Sequence, residues 1–177
     1  MANKVDRRGR GTGSVVIVTG MSGGGKSSAL NVLEDLGYEG VDNPPLTLLE
    51  AVLEPAGVVA GGGAVAVGVD IRTRDFDVGR LAEIVESLRR RDDIRVRLLF
   101  IDCEDEVLLR RFTETRRRHP LAVGTRVIGG IQDEKQLLAP LREIADQVLD
   151  TTSLSIGGLR REISGAYGLD RTGLAIA

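Results

Sequence analysis

The sequence predicts a three-layer α/β domain, with helices flanking a parallel five-stranded sheet. Three observations lead there. Short aliphatic runs alternate with amphipathic stretches along the chain, the pattern of successive βαβ units. Aromatic residues make up 3% of the 177 positions and Trp is absent, so the core must be built from Val, Leu, Ile and Ala. Strands covered on both faces have that aliphatic character. A glycine-rich segment, Gly20 to Ser27, stands between the first aliphatic run and the first amphipathic stretch, where a strand-to-helix turn in a parallel sheet binds its ligand.

The elements follow in order. Residues 1–13 carry Lys4, Arg7, Arg8 and Arg10 among glycines and are expected to be a disordered basic lead-in. Val15-Val16-Ile17-Val18 forms the centre of the first strand, residues 14–19. The helix after the glycine loop contains Ala29 to Leu36 and stops at Gly37. Residues 38–42 form a short strand, Asn43-Pro44-Pro45 a turn, and residues 46–53 a short helix that ends ahead of Pro55. The glycine-rich stretch 57–63 leads into a buried strand over 64–70. Asp75 and Asp77 are both expected to act as helix caps, ahead of a helix with Leu81, Ile84, Val85 and Leu88 on one face. Residues 94–102 are the fourth strand, and Cys103 behind it is expected to be a buried structural thiol. A charged helix runs from Glu104 to about Arg118, broken by His119-Pro120, with a loop over 121–124. The next helix extends to about Ala145, with Pro140 expected to kink or break it. Residues 147–150 are the last strand, and Ser153 or Ser155 caps a final helix containing Leu159 and Ile163.

Composition narrows the function classes. A formal net charge of −2 gives no global field to recruit nucleic acid or anionic membrane. One cysteine excludes an intramolecular disulfide and fits a reducing compartment. No apolar run approaches the roughly 18 residues of a membrane span, and the N-terminus lacks the apolar stretch of a secretion signal. The expected setting is cytoplasmic.

The segment Gly20-Met21-Ser22-Gly23-Gly24-Gly25-Lys26-Ser27 is a complete GxxxxGKS phosphate-binding loop, or Walker A motif, in its proper strand–loop–helix context. Glycines let successive N–H groups turn toward phosphate oxygens, with Gly23 to Ser28 forming the cradle. The helix N-terminus behind them adds about half a positive charge. Lys26 reaches the β- and γ-phosphates, and the Ser27 hydroxyl is placed to ligate Mg²⁺. The ligand class is a nucleoside triphosphate.

Three aspartates end strands: Asp42, Asp70 and Asp102. Asp102 opens an acidic run, Asp102-Cys103-Glu104-Asp105-Glu106, a costly place to gather phosphate charge. Asp70 opens Asp70-Ile71-Arg72-Thr73-Arg74-Asp75, pairing a carboxylate with guanidinium groups suited to phosphate. Asp70 is therefore the preferred Mg²⁺ residue. The charged helix carries Arg110, Arg111, Arg116, Arg117 and Arg118. Glu106 with Arg110 and Glu114 with Arg118 have i,i+4 spacing, so a solvated face explains several of them. The alternative is an arginine lid on triphosphate, with Arg116 and Arg117 as its residues and as catalytic groups beside Lys26 and Asp70. His119 reads as a helix-end cation rather than a general base.

These motifs together resemble one family. The glycine loop, Val41-Asp42-Asn43, Val69-Asp70-Ile71-Arg72, Arg110 through Leu121, Pro140 through Asp146 and Val148 through Thr151 resemble, in order, the bacterial RapZ family of RNase adapters. The resemblance covers about residues 14–165. It implies a kinase-like P-loop NTPase domain over 14–166, with 167–177 as the start of a second domain. It implies binding and hydrolysis of ATP and GTP, with the loop as ATP site and Asp70, Ile71, Arg72 and Thr73 as the segment assigned to GTP. It also implies a full-length oligomer that engages small RNA and a ribonuclease partner in the control of amino-sugar synthesis. The chain departs from the family pattern at Pro44-Pro45, where Leu-Pro is usual, and at Glu39-Gly40, where an aromatic-Cys pair is usual. Two rivals stand beside this reading: a kinase acting on a small metabolite, and a nucleotide-switched binding module without turnover.

Overall fold

The computed structural model describes residues 12–53, 62–122 and 126–169. The elements are β1 (Gly13–Gly20), α1 (Lys26–Asp35), β2 (Glu39–Asp42), a 3-10 turn (Leu46–Leu48) running into α2 (Leu49–Val52), β3 (Ala64–Gly68), α3 (Val78–Arg89), β4 (Ile94–Asp102), α4 (Asp105–Thr115), α5 (Val127–Glu143), β5 (Gln147–Asp150) and α6 (Ile156–Tyr167). All five strands are parallel, in the order β2-β3-β1-β4-β5. β1 is central, and the chain builds β2 and β3 on one side before crossing to β4 and β5 on the other. That reversal of direction opens a crevice at the carboxyl end of β1.

Alternation along β1 divides the interior in two. Val15 and Ile17 face a core with Leu81, Val85, Leu108, Ile131 and Leu138 from α3, α4 and α5. Val16 and Val18 face a second core with Ala29 and Leu33 of α1 and Leu159, Ile163 and Tyr167 of α6. The result is the expected three-layer parallel α/β sandwich. Among the described residues no helix is long and apolar enough to cross a membrane.

Several local expectations are corrected. α4 ends at Thr115, because Arg116 takes a left-handed φ of 51° and turns the chain out of the helix. The i,i+4 pair Glu114–Arg118 therefore cannot form, and Glu114 pairs with Arg110 at 4.0 Å instead. α5 continues through Pro140 into its last turn. Pro140 and Gln136, whose carbonyl loses its helical partner there, are both exposed to water. Asp77 caps α3, accepting the Arg80 N–H at 2.7 Å, whereas Asp75 sits in the preceding turn at φ 61°. Ser155, rather than Ser153, caps α6. β3 ends at Gly68, before Asp70, whose carbonyl closes a turn with the Thr73 N–H. Cys103 is buried, as expected. Tyr167 closes α6 inside the second core. Residues 1–11 of the basic lead-in lie outside the described residues, as do 54–61, which include most of the glycine-rich stretch 57–63, 123–125, which include the end of the 121–124 loop, and 170–177.

Candidate functional site

The site is built where β1 runs out. A Cβ on Gly20 would stand 2.1 Å from the Ile101 carbonyl oxygen, and φ is 138°, so only glycine fits. Gly23 and Gly25 adopt φ 79° and 118°, curling the chain so that α1 begins at Lys26. No side chain caps α1, which leaves the amides of its first turn available to an anion. Gly20, Met21, Ser22, Gly23, Gly25, Lys26, Ser27 and Ser28 form one side of a cavity of about 310 Å³. Asp70, Arg72, Arg111, Phe112, Thr115, Arg117, Arg118 and Pro120 form the other. Gly24 instead lines an adjoining cavity of about 280 Å³ with Arg111, Thr151, Leu154 and Ile156.

Lys26 is 5% exposed and holds two carboxylates. Its Nζ hydrogen-bonds Asp42 Oδ1 and lies 3.3 Å from Asp70 Oδ2. Gly68 makes that possible: a Cβ there would approach Lys26 Nζ to 2.9 Å and Asp42 Oδ1 to 2.7 Å. The buried Asp70 carboxylate accepts the Arg72 N–H and Nη2–H, both at 2.8 Å. Burial pushes the Asp70 carboxyl up, but the Arg72 hydrogen bonds and the Lys26 charge outweigh it and bring its pKa to about 2. Asn43, at φ 50°, braces this carboxylate: Nδ2 donates to Asp70 Oδ2 and Oδ1 accepts from the Asp70 N–H and the Thr73 hydroxyl. Ile71 packs on the core and Thr73 is buried under the turn, so of that segment Asp70 and Arg72 face the cavity. Asp102 is occupied elsewhere, accepting from the Cys103 N–H and from Arg142 Nε at 2.9 Å.

The arginines separate. Arg117 and Arg118 line the cavity; Arg116, in its left-handed turn, does not. Arg111 Nη1 donates to the Gly23 and Gly24 carbonyls and Nη2 to the Thr151 carbonyl, bracing the loop between the two cavities. His119 is not a helix-end cation. It is 3% exposed, its Nδ1 accepts the Leu121 N–H, and its Nε2 lies 2.8 Å from Glu134 Oε2. Because Nδ1 accepts, Nε2 is the nitrogen that donates to Glu134.

The RapZ-like N-terminal domain family matches residues 14–171. The chain belongs to this family. The chain is 49% identical over 163 residues to a nucleotide-binding protein of Paramagnetospirillum magneticum, covering 92% of this chain and 53% of the relative. It is 53% identical over 156 residues to one of Rhodospirillum centenum, covering 88% of this chain and 46% of the relative. The chain thus spans about half the length of the relatives it matches. Among solved structures, the RapZ-like fold is similar to shikimate kinase from Bacteroides thetaiotaomicron, with a TM-score of 0.59 at 16% identity over 86% of this chain and 97% of that one. It is also similar to the Acinetobacter baumannii shikimate kinase in complex with shikimate, with a TM-score of 0.56 at 18% identity over 87% and 92%. At such identities the likeness is one of fold.

Sequence reasoning missed Gly68 and Glu134, paired Arg118 with Glu114 instead of turning it to the cavity, and did not single out Asn43 or Arg111 within the motifs it quoted. An asparagine directly after a strand, where a left-handed turn is tolerated, is the one local signal that could have flagged Asn43. Glu134 reaches Ser22 across 112 positions and has no local signature. The oxygen donors fit Mg²⁺: a hydroxyl (Ser27) and a carboxylate (Asp70) line the same cavity. Mg²⁺ is typically held by one or two protein oxygens with water and phosphate completing the shell. Among the described residues no larger metal-binding cluster of His, Cys, Asp and Glu occurs.

Proposed function

We propose that this chain binds ATP and GTP with Mg²⁺ and hydrolyses them slowly, as the regulatory nucleotide-binding part of a cytoplasmic RNase adapter concerned with small RNA and amino-sugar metabolism. One observation carries the reading: the uncapped α1 N-terminus, Lys26, Ser27, Asp70, Arg117 and Arg118 converge on one cavity. An incoming triphosphate exchanges with the carboxylates on Lys26, takes the free amides of Gly25 to Ser28, and meets Arg117 and Arg118. Arg116, assigned a lid and catalytic role from sequence, passes that role to Arg118. Ser27 and Asp70 hold Mg²⁺, which neutralises phosphate charge when bound. The adjoining cavity, with the Arg111 guanidinium, Leu154 and the exposed Ile156, offers an apolar and cationic surface for the base. The relatives are described as nucleotide-binding proteins, in keeping with this reading.

A second reading is favoured by Asp42. Its side chain is 52% exposed beside Lys26, where a carboxylate can accept the proton of an acceptor hydroxyl, as a kinase for a small metabolite requires. Calorimetric titration with ATP and GTP, with and without Mg²⁺, coupled to phosphate release, tests both. Binding with slow, acceptor-independent turnover supports the first. Saturable acceleration of ADP formation by a sugar or hydroxy-acid acceptor supports the second. No binding of either nucleotide overturns both.

A further inference from the structure

Glu134 is a buried carboxylate on α5 that no function assigned so far uses. It is fully enclosed, and among the described residues no lysine or arginine hydrogen-bonds it. Oε1 accepts two bonds from one residue of the glycine loop, the Ser22 N–H at 3.0 Å and the Ser22 hydroxyl at 2.7 Å. Oε2 accepts His119 Nε2–H at 2.8 Å. His119 is flanked in sequence by Arg118 and Pro120, which line the cavity opposite the loop. The ring is fixed from three further directions. Phe112 meets it edge-on at 5.0 Å, the Leu121 N–H donates to Nδ1, and Gly130 clears space that a Cβ would invade to 2.7 Å from Nδ1. One side chain thus joins the floor of the cavity to its arginine-bearing roof.

An isolated carboxylate at such a site is costly, and burial pushes the Glu134 carboxyl up against the pull of its Ser22 and His119 bonds. Packing alone gives no reason for a charged group here; an apolar side chain of similar size would fill the space. The donors it collects are the reason it fits. Every one belongs either to Ser22 or to His119, so the position of the loop and the position of Arg117–Arg118 are set by the same group.

We propose that Glu134 is a positioning residue that couples the phosphate loop to the Arg117–Arg118 segment, so that an anion seated in the loop meets arginines already held in place. The coupling depends on donor and acceptor pattern as well as shape. Glu134→Gln keeps the volume but presents an N–H₂ to one partner. If that group faces His119, the ring must shift its proton to Nδ1, where it confronts the Leu121 N–H; if it faces Ser22, it confronts the Ser22 N–H. Either arrangement breaks one arm of the link.

This inference rests on the proposed nucleotide site for one of its two tests and not for the other. Without ligand, amide hydrogen exchange is measured on the full chain and on Ser22→Ala and Glu134→Gln. Coupling requires that Ser22→Ala speeds exchange at the amides of 117–119, 121 and 122, to which Ser22 makes no hydrogen bond among the described residues, while the β1 and β4 amides stay protected. Unchanged exchange at 117–122 overturns the proposal, and a uniform rise across the sheet marks Glu134 and Ser22 as merely structural and overturns it too. With Mg·ATP, the Arg117→Ala/Arg118→Ala pair is compared in the wild-type and Glu134→Gln backgrounds. In the first it lowers affinity by about tenfold or more, the scale of a charged hydrogen bond; in the second it costs under about threefold, because the arginines are no longer placed. Equal losses in both backgrounds overturn the coupling. A Glu134→Gln/His119→Gln double variant, whose two amides can donate and accept in turn, regains part of the lost affinity. Failure of the wild-type chain to bind ATP sinks the nucleotide reading alone, since the exchange test contains no ligand.

Discussion

Lys26 and Asp70 share one charged cluster but answer to different tests. Lys26→Ala is expected to weaken ATP and GTP binding by about 2–3 kcal/mol, the size of a charged hydrogen bond lost. The fold should persist, since Arg72 still neutralises Asp70 at 2.8 Å. Titration calorimetry with a thermal melt separates the two effects, and unchanged affinity would end the phosphate-loop reading. Asp70→Asn should spare metal-free nucleotide binding and reduce Mg²⁺-dependent hydrolysis, because the amide keeps the size but loses the charge that orients the metal's water shell. Asp102→Asn should do less, because Asp70 lines the cavity and Asp102 lines neither it nor the adjoining one; phosphate-release rates in the opposite order would transfer the metal role to Asp102. Much of this residue-level site was legible in the sequence. The GxxxxGKS spacing is local, and Asp70 could be weighed against Asp102 from their neighbours alone. Glu134, Gly68 and His119 were not legible, because each is defined by a partner that only the tertiary fold brings near. His119 in particular sits in a run of arginines that reads as solvent-facing.

The elements were legible wherever a punctuating residue marks them, and blurred where none does. Gly37 follows α1 at φ 100° and Asp77 caps α3, so both boundaries were near at hand. α4 has no glycine at its end; a non-glycine residue, Arg116, adopts the left-handed turn, and the helix was read several residues too long. The contact of α5 with the segment before it also makes neighbouring glycines unequal. Gly130→Ala drives a methyl against His119 and the Ala122 amide, the latter at 3.0 Å, and should cost about 1–3 kcal/mol as an overpacked site. At Gly129 a Cβ meets nothing within 4 Å among the described residues, so Gly129→Ala should gain about 0.5–1 kcal/mol from helix propensity. Urea unfolding of the two variants measures the contrast. At the other end of the fold, α6 docks through Tyr167, whose ring lies 4.1 Å under the Arg97 guanidinium. Burial raises its phenol, against the opposing Arg97 charge, from 10.0 to about 12. The unfolded chain therefore loses this proton first, and the stability it confers is present below pH 10 and fades as pH climbs toward 12. Tyr167→Phe should flatten the decline in melting temperature over that window, and an identical decline in both proteins would assign it to other groups.

For the molecule as a whole, the sheet order and layers follow from the alternation of aliphatic runs, and the family from motifs spread over most of the chain. The relatives it matches are about twice its length. Alone it should bind structured RNA weakly. Its formal net charge is −2, so long-range attraction to a phosphate backbone is small. Phe76, Phe100, Phe112, Tyr38 and Tyr167 are scattered, and three of them, Phe100, Tyr38 and Tyr167, are under 5% exposed, leaving little platform for stacked bases. Arg111, Arg117 and Arg118 turn toward the cavity. Anisotropy titration at physiological salt checks this; tight, sequence-selective binding that survives deletion of residues 1–13 would place the RNA site within this domain.

The bond between Lys26 and Asp42 has one further consequence. Lys26 already holds an anion, and that anion belongs to the chain. A tethered carboxylate acts as a competitor present at an effective concentration of about millimolar or above, one that dilution cannot wash out. On the proposed reading a nucleotide would compete with this carboxylate, and the observed affinity would be the intrinsic one reduced by the fraction of molecules with Lys26 disengaged. Such a domain would set its own threshold, favouring anions such as a triphosphate that bring more charge than one aspartate.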